Sequence, residues 1–87
     1  MTKTQAMLNF QAVTNYLMWK YSNLICTTID QECKYFECRM HFDPDELDAD
    51  LLRAELNEIR DNQSRMMMSK IKDSSKMCVE LEWWYKY

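Results

Sequence analysis

The chain of 87 residues contains no glycine. Ordinary usage of about 7% would supply roughly six. Every device that depends on glycine's backbone freedom is therefore excluded, the phosphate-cradling loops of nucleotide-binding enzymes among them. Turns must be built from Asn, Asp and Ser, which tolerate left-handed geometry less readily.

The length fits one domain, residues 1–87, with no room for a second. Apolar residues make up 47% and aromatics 13%, enough for a core. Chains of this size bury only about 60–65% of their unfolded surface, so added burial at an interface matters. The start, MTKTQAMLNF, lacks the continuous apolar region of a secretory signal. The longest apolar run, Tyr16 to Trp19, is far too short for a membrane span. The expectation is a cytoplasmic protein, in host cytoplasm if phage-encoded. Its cysteines, Cys26, Cys33, Cys38 and Cys78, are then free thiols.

Residues 4–22 read as a helix. Ala6, Phe10, Val13, Leu17 and Tyr21 recur on one face, and Leu8, Ala12, Tyr16 and Trp19 form a second apolar stripe. So wide a face wants two neighbours or a partner. Ser22-Asn23 marks its stop. A hairpin follows: Leu24 to Ile29, a turn at Asp30-Gln31, and an alternating strand from Glu32 to Phe42. Lys34, Phe36, Cys38, Met40 and Phe42 take the core side. Asp43-Pro44-Asp45-Glu46 signals a helix start, with Leu47, Leu51, Leu52, Ala54, Leu56 and Ile59 inward. Unbroken, that helix would run about 42 Å at about 1.5 Å per residue, so a break near Asn62 is expected, with Ser64 capping a short helix through Met66, Met67 and Ile71. Met77 to Tyr87 is a last strand, with Met77, Val79, Leu81, Trp83, Tyr85 and Tyr87 on one side. The expected fold is α+β in two layers: a three-stranded, mainly antiparallel sheet with helices on one face, in the order α-β-β-α-(α)-β. That order resembles the second type of KH domain, but the GXXG loop of that family is impossible without glycine.

The net charge of −3 is unevenly placed. Residues 1–42 sum to +1, residues 43–61 to −6 and residues 62–87 to +2. Acids at a helix start complement its dipole, but that effect fades within a turn, and these continue for about five turns. Like charges at four-residue spacing, such as Glu46 and Asp50, repel by a few tenths of a kcal/mol. Retaining them makes sense if the target is a basic surface. Basic surfaces commonly belong to nucleic-acid-handling proteins, and small acidic phage proteins occupy such surfaces as inhibitors.

Other constellations carry less. Cys33 and Cys38 lie on opposite strand faces, and Cys33 and His41 stand about 26 Å apart at about 3.3 Å per residue, so no zinc site is expected. Glu80 and Glu82 share a strand face, but an open sheet supplies no pocket to raise a carboxylate pKa. Cross-strand pairing with Arg39 or Lys86 is their expected role. Tyr35, Arg39 and Trp84 are expected together on the open face, as a secondary surface.

The sequence thus points to a small acidic, non-catalytic binding protein without cofactor or metal, an inhibitor or regulator acting as a nucleic-acid mimic. Asp45, Glu46, Asp48, Asp50, Glu55, Glu58 and Asp61 are its expected contacts with a basic protein partner. One alternative is an RNA- or single-strand-binding module using the sheet aromatics, which the acidic balance disfavours. Another is a structural homodimer subunit joined through Leu8 and Trp19.

Overall fold

The structure, a computed structural model, describes residues 2–21, 35–61 and 64–86, together with the backbone of 25–31. Among the described residues six elements follow one another: α1 (Lys3–Lys20), β1 (Ile25–Gln31), β2 (Tyr35–Phe42), α2 (Ala49–Ile59), β3 (Ser64–Lys70) and β4 (Met77–Trp84). The strands form one antiparallel sheet in the order β1-β2-β4-β3. The α+β class and its two layers are those expected. The segment expected as a short third helix is instead a fourth strand, which makes the order α-β-β-α-β-β.

Local chemistry explains that change. Arg60, the residue capping α2, already has an extended ψ of 154°. Beyond it, the Ser64 amide donates to Asp61 Oδ1 at 2.8 Å and Arg60 Nη1 donates to the Ser64 carbonyl at 2.6 Å. These bonds absorb the polar groups that a continuing helix would have used. Ser64–Lys70 then pairs with β4, placing Met66 opposite Leu81 and Met68 opposite Val79. Methionine's helix preference is a few tenths of a kcal/mol per residue, too little to outweigh that pairing.

Helix starts are set by side-chain caps. Thr2 caps α1 in a reciprocal box with Gln5, through bonds of 3.2 and 3.0 Å. The helix ends at Lys20, where the Tyr21 amide still bonds the Leu17 carbonyl at 2.8 Å. The expected stop at Ser22-Asn23 lies outside the described residues. The start expected at Asp43-Pro44 is a separate turn: Asp43 Oδ1 accepts from the Asp45 amide and its carbonyl from those of Glu46 and Leu47. The true cap of α2 is Asp48, whose Oδ1 accepts from Asp50 and Leu51 amides at 2.8 and 3.2 Å. Asp30 and Gln31, expected as a turn, lie within β1 opposite Phe36 and Tyr35. The tight connection of β3 to β4 does use a left-handed residue, and aspartate takes the place of glycine there: Asp73 has φ 60°.

Both helices cover the same sheet face. Ala6, Val13 and Leu17 of α1 and Leu52 and Leu56 of α2 share one core with Phe36, Cys38, Met40 and Phe42 of β2 and Val79, Leu81 and Trp83 of β4. Trp83 is fully buried, with Phe10 edge-on at 5.6 Å. The core sides expected for β2 and β4 are those observed, apart from Lys34 and Tyr87, which lie outside the described residues. Leu51 and Ala54, expected inward, point out instead. Among the described residues, no helix is long and apolar enough to cross a membrane.

Candidate functional site

The seven carboxylates expected to form one acidic ridge have different fates. Glu55 is half-buried and tied to α1, as the acceptor for Tyr16 Oη at 3.0 Å and also for Lys20 Nζ and Tyr21 Oη. Burial by itself would raise its pKa. The three donors outweigh that and hold the carboxyl below its ordinary range. On the other side of the cluster, the bond to Glu55 raises the Lys20 pKa, and burial followed by the Glu55 bond pushes Tyr21 up to about 12. Lys20 Nζ also stands over the Tyr16 and Tyr21 rings, at 5.9 and 5.6 Å. Glu55 is thus the fastener between α1 and α2.

Asp61 is likewise internal in role. It accepts from Asn9 Nδ2 of α1 as well as from the Ser64 amide. The other five carboxylates are exposed. Asp45 and Glu46 project from the turn before α2, and Asp48 and Asp50 sit at its first turn. Asp50 makes one long contact, 3.5 Å to Arg53, with its side chain 91% exposed. Glu58 stands about 12 Å farther along the helix than Asp50, at about 1.5 Å per residue. What remains of the ridge is a compact acidic end, Asp45, Glu46, Asp48 and Asp50, with Glu58 apart.

Exposed apolar residues stand at the same end of the helical layer. The bonds from Asn9 to Asp61 and from Tyr16 and Lys20 to Glu55 run α1 and α2 antiparallel, so the start of α2 meets the end of α1. There Trp19 is 78% exposed, Leu51 70% and Met18 56%. Trp19 leans on Tyr16 at 6.2 Å between ring centroids, and Leu51 lies one turn from Glu55 on α2. Leu51 and Met18 are additions to the expected contacts. The second apolar stripe of α1 signalled Trp19 alone of these three: Met18 lies outside that stripe, and Leu51, on α2, was expected inward.

The other sheet face gathers the expected secondary surface. Tyr35 and Trp84 are register partners, and their rings stack at 4.5 Å. Arg39 lies between two acids, with its Nε 2.5 Å from Glu37 and 3.6 Å from Glu80, and its pKa is raised chiefly by the Glu37 bond. The Trp84 indole donates to Glu82 Oε1 at 3.1 Å. One oxygen each of Glu37, Glu80 and Glu82 lies within 4.8 Å of the others. Glu37 is buried even on this face. Cys78 is buried on it too, and burial followed by Glu80 raises its pKa, which makes a poor nucleophile. Cys38, like Cys78, is buried. Cys33 lies outside the described residues, as does the side chain of Cys26. Compared with protein-family models, curated proteins and solved structures, the chain matches none.

Proposed function

We propose that this is a non-catalytic binding protein that docks its acidic end on a basic surface of a nucleic-acid-handling protein, as an inhibitor or regulator. The observation that carries this reading is that exposed carboxylates, Asp45, Glu46, Asp48 and Asp50, and exposed apolar side chains, Trp19 and Leu51, stand at the same end of the helical layer. Interfaces take most of their affinity from a few large side chains, Trp foremost, while the surrounding charges steer approach and set orientation. A partner that fits offers an apolar hollow rimmed with Lys and Arg. Nucleic acid itself fits poorly. The Tyr35–Trp84 stack offers a surface for bases, but Glu37, Glu80 and Glu82 crowd the same face and repel phosphates.

The test is charge reversal that spares the caps. Asp45, Glu46 and Asp50 changed together to Lys leave Asp43 and Asp48 to hold the turn and the helix start. Affinity capture from the native host should recover a basic nucleic-acid-binding protein, released by salt, and the triple variant should lose it. Undiminished capture by the triple variant rejects the acidic docking surface.

A further inference from the structure

We infer that β3 is a pairing edge, through which two copies of this chain join into one continuous eight-stranded sheet. The inference is independent of the acidic end. β3 ends the strand order, with no strand on its outer side. In an antiparallel ladder the N–H and C=O of one residue point to the same side, and successive residues alternate. Two bonds fix that alternation here. The Ser64 amide turns away from β4 to Asp61, whereas the Ile71 amide turns toward the β4 side and reaches the Lys76 carbonyl at 3.0 Å. Even-numbered residues of β3 therefore aim their backbone outward, and odd-numbered ones bond β4.

Ser64's outward groups are satisfied by Asp61 and Arg60. Met66, Met68 and Lys70 have no outward partner among the described residues. Their three donors and three acceptors are centred on Met68. A two-fold axis at Met68 sets Met66 opposite the second copy's Lys70 and Met68 opposite its equivalent, so every free donor meets a free acceptor. Side chains agree with that register. No like charges stand opposite one another: Arg65 meets Ile71, and Met67 meets Ser69. Each Lys70 lies diagonally across from Ser64 of the other copy, where the Ser64 amide holds the Asp61 carboxylate, so a cation meets an anion at both ends of the seam. The strand has no proline, bulge or central charge, the usual guards of an edge.

Sedimentation equilibrium of the full chain should give about twice 10.6 kDa. Met68→Pro removes an amide that points away from β4, so it should keep the native circular dichroism and sediment at 10.6 kDa. A disulfide trap covers the case in which that variant does not fold. Met67→Cys and Ser69→Cys proteins, mixed and gently oxidised, should cross-link to each other far more than either does alone, because 67 and 69 face each other only across the seam. A wild-type mass of 10.6 kDa at every concentration overturns the inference. So does a dimer that survives Met68→Pro and gives no mixed cross-link, which would instead implicate the Leu8 and Trp19 side of α1.

Discussion

The two long sides of α1 are alike in hydropathy and opposite in fate. Ala6, Val13 and Leu17 are at most 4% exposed, whereas Leu8 and Met18 are each 56% exposed and Trp19 78%. The sheet reaches only one side of the helix, and α2 closes the flank through Glu55 and Asp61 rather than through an apolar seam. An apolar stripe in a sequence thus says that burial is favourable, not which molecule provides it. One side of α1 holds the fold together, and the other is left exposed.

That division is broken or sharpened most forcefully at Leu17. It is 1% exposed, so Leu17→Ala leaves a cavity against the sheet and should cost about 2–5 kcal/mol in denaturant unfolding. Such a loss is a large part of the stability of a domain this size, and partial unfolding at room temperature is an acceptable outcome. A loss under about 1 kcal/mol would mean that the two sides of α1 are not distinct in packing.

Much of this was legible in the order of residues, for physical reasons that differ by element. β2 and β4 alternate strictly, and one face of each is buried, so period and register agree. Ser64–Lys70 was not legible as a strand. Its three consecutive methionines suit either state, and only β4 decides between them. The start of α2 was misplaced because Asp43-Pro44-Asp45-Glu46 satisfies its own caps within a turn, while Asp48 repeats the same chemistry one turn later. Among the acids, nothing local separates Glu55 and Asp61 from Asp50 or Glu58. Their internal roles depend on Tyr16, Tyr21 and Asn9, which the fold brings from about 34 to 52 positions away.

Glu55 gives the next largest effect, because it fastens the end of α1 that carries Trp19. Glu55→Gln keeps the shape but removes the charge from three hydrogen bonds and should cost about 1–3 kcal/mol. Its pH signature has a definite sign. The folded carboxyl titrates below its ordinary 4.5, so its contribution is present above that value and is lost as pH falls through the folded pKa. Acid unfolding of Glu55→Gln should be flatter than that of wild type over this window, and superimposable acid limbs would refute the fastener.

Tyr21 tests the same fastener from the basic side, with a smaller expected effect. Its folded pKa is raised from 10.0 to about 12, so its contribution is intact below 10.0 and is lost as pH climbs toward 12. Tyr21→Phe should make that basic limb shallower, leaving the share that Lys20 contributes through its own raised pKa, and should leave the acid limb of Glu55 in place, since Tyr16 and Lys20 still donate. Loss of both limbs together would show that the three donors act as one unit.

The smallest effect on stability belongs to Trp19, and it is the sharpest test of what the outer side of α1 is for. Trp19→Ala gives up only a tilted contact with Tyr16 and gains helix propensity of about 0.5 kcal/mol, so unfolding should shift by no more than about 0.5 kcal/mol. Binding should respond on another scale, since an anchoring Trp at the centre of an interface is worth about 2 kcal/mol or more, roughly thirty-fold in Kd. A variant with native stability and lost capture would assign the outer side to the target. Native stability with native capture would leave the acidic end to act alone, because the carboxylates at Asp45, Glu46 and Asp50 are untouched by the change. A large fall in stability would return Trp19 to the core and erase the contrast between the two sides of the helix.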